Sequence, residues 1–63
     1  SVDAILSRAE AALSQGRLTD TLAEIESLPE VVRSEFTGWT ALAQTRMNAL
    51  SAAETLLQSV TDK

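Results

Sequence analysis

The chain has 63 residues, a net charge of −4, and no cysteine, histidine or tyrosine. That length holds one domain with one small core, worth about 3–5 kcal/mol unless something staples it. Disulfides and thiolate metal sites are excluded, and the commonest general base and metal ligand is missing. The basic residues Arg8, Arg17, Arg33, Arg46 and Lys63 are scattered along the sequence. Nucleic-acid binding, which needs clustered positive charge, is therefore disfavoured, as is adhesion to anionic lipid through this segment.

Val2, Ile5, Leu6, Ala9, Ala12 and Leu13 recur at three- and four-residue spacing, which predicts a first helix. Ser1 suits its N-cap and Asp3 its first turn. Gly16 stops it, because glycine adopts the left-handed conformation of a helix C-terminus. Leu18, Leu22, Ile25 and Leu28 form a second, shorter stripe, with Leu18 or Thr19 as its expected cap. So short a loop predicts an antiparallel hairpin. Pro29 closes the second helix and opens a short third element through Val31, Val32 and Phe36. A break is expected at Thr37-Gly38, with Thr37 capping a last helix from about Gly38 to Thr61; the alternative is a kinked continuous helix. The Thr37-Gly38 junction could then act as a hinge for exchange of elements between chains.

That last helix is roughly 36 Å long and the first roughly 22 Å, so a short hairpin leaves part of it uncovered. Between Phe36 and Thr61 only Arg46 and Glu54 are charged, whereas the first 35 residues carry ten charges. A long helix this poor in charge is expected to bury more than one side. Trp39, Ala43, Arg46, Leu50, Ala53, Leu57 and Val60 alternate in steps of four and three, a coiled-coil-like seam. Leu42, Ala49 and Leu56 flank it. Thr40, Gln44, Asn48, Ser51, Thr55 and Ser59 form the opposite side, either a solvated face or a polar contact. Arg46 interrupts the seam, either snorkelling to water or pairing with Glu54 or another acid across an interface. Trp39 and Phe36, three residues apart, read as core anchors, with Trp39 also suited to an interface.

Asp20, Glu24 and Glu26 are the closest approach to a carboxylate cluster. A short exposed helix offers no apolar pocket to raise a carboxyl pKa, and no loop converges further oxygen ligands. The serines and threonines have no histidine to activate them. The glycines form no phosphate-cradling loop. The chain is read as non-enzymatic, without cofactor or metal. No apolar run exceeds three residues, so nothing in the sequence spans a bilayer.

Gly16-Arg17-Leu18, Ala23-Glu24, Leu28-Pro29, and then Trp39 with Ala43 and Arg46 follow the order of a known pattern. It is a G-x-L turn, a short helix, an L-P break and a W-x-x-x-A-x-x-R helix. From about Ala9 to Leu57 the chain thus resembles the C-terminal domain of the mitofilin family, in its bacterial (alphaproteobacterial) branch. Leu42 and Gln44 stand where that family often carries charge. The resemblance implies a fragment of a longer membrane-anchored protein of the bacterial inner membrane, facing the periplasm. It implies self-association within a scaffold that shapes or tethers membrane, with other membrane-contact-site proteins as partners. Membrane contact would come through segments outside this chain. Trp39, Ala43 and Arg46 would be structural or interface positions.

The expectation is a single all-α domain over 1–63, a bundle of three to four helices built as a hairpin plus one long C-terminal helix. The fragment itself is expected to be soluble and completed by homodimerisation through the seam. The alternative is a tetratricopeptide-like adaptor that binds a partner peptide, since helix, Gly16-Arg17-Leu18, helix resembles half of such a repeat.

Overall fold

A computed structural model describes residues 1–62 and is helical throughout, without strands among them. Helix α1 spans Val2–Ser14, α2 Leu18–Glu26, α3 Glu30–Arg33 and α4 Thr37–Thr61, with a 3₁₀ turn over Ser34–Phe36. The Ser1 hydroxyl caps α1 by accepting from the Ala4 N–H at 3.2 Å. Gly16 has φ +73°, the only positive value in the described chain. Around it, the Arg17 N–H donates to Ala12 O at 2.9 Å and the Gly16 N–H to Leu13 O at 3.0 Å. This pair of bonds is the Schellman stop, which satisfies two carbonyls left open at the helix end.

That turn delivers the chain directly into α2. Its cap position is Arg17, without a side-chain capping bond, rather than Leu18 or Thr19 as the residue types suggested. The stop already fixes Arg17, so its carbonyl opens the helix one residue early, accepting from the Thr21 N–H at 3.0 Å. The Thr21 hydroxyl donates to the same carbonyl at 2.8 Å, which satisfies a polar side chain that is only 2% exposed.

The predicted break also moves. Phe36, at φ −100° and ψ 5°, is the residue that departs from helical geometry, and Thr37 is already the first residue of α4. Thr37 caps nothing forward. Its hydroxyl donates back to Ser34 O at 3.0 Å, because the 3₁₀ turn places that carbonyl within reach. Gly38 lies inside the first turn of α4, so the junction falls ahead of Thr37-Gly38 rather than within it.

The core sits between the hairpin and the first turns of α4. Ala9, Ile25 and Leu28 form its buried centre, closed over by Leu6, Val32, Phe36 and Trp39, among others. Both aromatics therefore cap the hairpin, as their spacing suggested. Leu22 and Ala43 are buried as well. Two ion pairs brace the outside: Arg8 Nε to Glu24 Oε1 at 2.9 Å, and Arg33 Nη1 to Glu26 Oε2 at 3.6 Å. Both are exposed and worth about 0.2–1 kcal/mol each.

The chain is long rather than round. It measures 49 × 20 × 14 Å, with a radius of gyration of 14.5 Å against about 11 Å for a compact domain of this length. Its accessible surface is 4801 Å², about 900 Å² more than a folded monomer of this mass normally shows.

Candidate interaction surface

The excess surface is on α4. Its 25 residues make a rod about 37 Å long, while the hairpin reaches only its first half. From Asn48 to Asp62 every residue is exposed. The helix continues there with every side chain open, in a segment with only Glu54 and Asp62 as charges. Back-bonds and side-chain pairs spaced four residues apart along it, such as Gln58 Nε2 to Asp62 Oδ1 at 3.0 Å and Thr61 Oγ1 to Leu57 O at 2.9 Å, are local and weak.

The expected seam divides between two environments. Trp39 is half-buried against the hairpin and Ala43 is buried, so the first two positions serve the chain's own core. Arg46, Leu50, Ala53, Leu57 and Val60 are all exposed, Leu57 at 67% and Val60 at 65%. The flanking row behaves alike: Leu42 and Leu56 are among the most exposed apolar side chains, and Ala49 lies open between them. Ala43 is the sole buried residue of α4, so the burial expected from its low charge is not achieved within one chain.

These side chains share an arc. At 100° per residue, Leu42, Ala49, Leu50, Ala53, Leu57 and Val60 fall within about 100° of one another, beside the line that Ala43 and Met47 turn toward the hairpin. The polar row from Thr40 to Ser59 lies on the far side. Within it Thr40 is half-buried while Gln44 and Asn48 bond each other at 3.1 Å in solvent. Most of that row is thus a solvated face in the single chain.

Where the apolar arc meets the hairpin, an open groove of about 700 Å³ runs between Leu13, Gly16 and Leu18 on one wall and Trp39, Leu42 and Leu50 on the other. Leu13 belongs to the apolar stripe of α1. It is 45% exposed, at the last turn of α1, where it lines this groove and also an open pocket shared with Ile25, Phe36 and Trp39. Nothing in the helical period distinguishes it from Leu6.

Arg46 lines this groove and Glu54 a second open cleft beyond the hairpin turn. Among the described residues neither has an ion-pair partner. The carboxylates that sequence placed together do not form a site either. Glu24 and Glu26 go to separate arginines, and among the described residues no three acids, cysteines or histidines converge on one point. No described helix is long and apolar enough to cross a membrane. Compared with known protein families, characterised proteins and solved structures, the chain has no significant match.

Proposed function

We propose that this chain is a non-catalytic self-association module, joined to a second copy through the open apolar face of α4. The observation that carries this reading is quantitative. The surplus of about 900 Å² corresponds to the ~800 Å² that each partner buries in a stable protein interface. The surplus lies on a helix whose exposed leucines are contiguous and nearly free of charge, the composition of an interface centre. A core of only five buried apolar residues also leaves the fold in need of a partner.

The mitofilin-like order of motifs extends the proposal. The module serves a membrane-organising scaffold of the bacterial inner membrane, on its periplasmic side, and the membrane is reached through segments outside residues 1–63. The test has two stages. Light scattering on the isolated chain should give twice its 6.7 kDa mass at high concentration. In the membrane-anchored parent, deletion of this module should abolish chemical cross-linking between copies while leaving the parent in the membrane. Unchanged cross-linking would refute the assignment.

One observation favours the adaptor reading: the open groove between Leu13 and Leu42 is lined largely by apolar side chains, the chemistry that takes up the apolar face of a helical peptide. That reading requires the chain to stay monomeric at every concentration.

A further inference from the structure

Resting on the self-association reading, we infer that the partner is seated antiparallel, on a two-fold axis at Leu50, with Arg46 of each copy against Glu54 of the other. The two charges carry the argument. Arg46 and Glu54 are the only charged residues between Phe36 and Thr61, and each stands four residues from Leu50. Eight residues separate them, about 12 Å along the helix, too far for a contact within one chain. Both are exposed, Arg46 within the apolar arc and Glu54 about 40° beyond its edge beside the line of Ala43 and Met47, and neither is paired among the described residues of the single chain. On an antiparallel axis at Leu50 each arginine meets a glutamate, at both ends of the contact. In a parallel pair arginine would lie beside arginine and glutamate beside glutamate, an arrangement that flanking charges disfavour.

The same axis accounts for the overhang and the groove together. It lays residues 51–62 of each copy along residues 38–49 of the other, the half of α4 that carries the groove. Leu57 then lies at the level of Ala43, and Val60 at the level of Thr40, where Leu13, Trp39 and Leu42 leave the groove open. Such an interface is isologous and closes on itself, so it stops at two copies.

The chain has no cysteine, so single spin labels can be placed on the far face at Ser51→Cys or Ser59→Cys. For the antiparallel dimer, the paired labels are about 3 Å apart along the axis at position 51 and about 27 Å at position 59. Reversal of one charge, Arg46→Glu or Glu54→Arg, weakens the dimer about tenfold at low salt, and the double variant restores it. Similar label distances at both positions would overturn the pairing while leaving self-association intact. A dimer indifferent to single reversal would do the same. A wild-type chain that stays monomeric would defeat the self-association reading itself, and the pairing with it.

Discussion

Leu57 separates the fold from the assembly more cleanly than any other residue. It is 67% exposed, in the stretch Asn48–Asp62 where every residue is exposed, so the hairpin core does not depend on it. Full burial of a leucine stabilises by about 1.5–3 kcal/mol, so covering the two-thirds that remains contributes about 1–2 kcal/mol. A symmetric dimer contains the residue twice, giving about 2–4 kcal/mol in total, or a change in Kd of about 30- to 1000-fold. Leu57→Gln keeps helix propensity nearly constant, so α4 itself should persist. Sedimentation equilibrium should show the variant monomeric at concentrations where the native chain is dimeric. Its circular dichroism at low concentration should match that of the native monomer. A variant that dimerises as tightly as the native chain would refute the placement of the interface on this face.

Three further substitutions test the intramolecular account by thermal melts at low concentration. Gly16→Ala should destabilise by about 1–2 kcal/mol from the left-handed backbone alone, since an added Cβ meets nothing within 4 Å. Gly38→Ala should act oppositely, stabilising by about 0.5–1 kcal/mol, because Gly38 is helical and its surroundings are equally open. A destabilising Gly38→Ala would contradict the helical, open setting of Gly38. Trp39→Ala should cost about 3 kcal/mol, the low end for a large aromatic because Trp39 is only half-buried. That loss is comparable to everything so small a core supplies, so the variant should be largely unfolded by near-ultraviolet and far-ultraviolet dichroism.

Much of the fold is legible in the residues. Gly16 and Pro29 punctuate the chain because their backbone restrictions act locally, whatever surrounds them. The stripe Val2–Leu13 and the shorter one Leu18–Leu28 set the hairpin through a period that survives any context. The errors lie where neighbouring elements decide. Thr37 has the chemistry of a cap, yet a preceding 3₁₀ turn offers its hydroxyl a carbonyl behind it. Leu13 has the period of a core residue, yet it faces an open groove at the last turn of α1 and stays 45% exposed. The seam of α4 was visible as a pattern, but its division was not. Trp39 and Ala43 are claimed by the hairpin, and Leu50 onward is left open, because hairpin length rather than helix pattern determines where coverage ends.

The central claim is that a second copy covers the apolar arc of α4. A dilution series followed by amide nuclear magnetic resonance, residue by residue, tests it most directly. The account predicts that signals of Leu42, Ala49, Leu50, Ala53, Leu57 and Val60 shift and broaden with concentration, while Asp3, Glu10 and Glu26 on the outer hairpin stay fixed. Spectra that do not change with concentration, or changes centred on the outer hairpin, would contradict it.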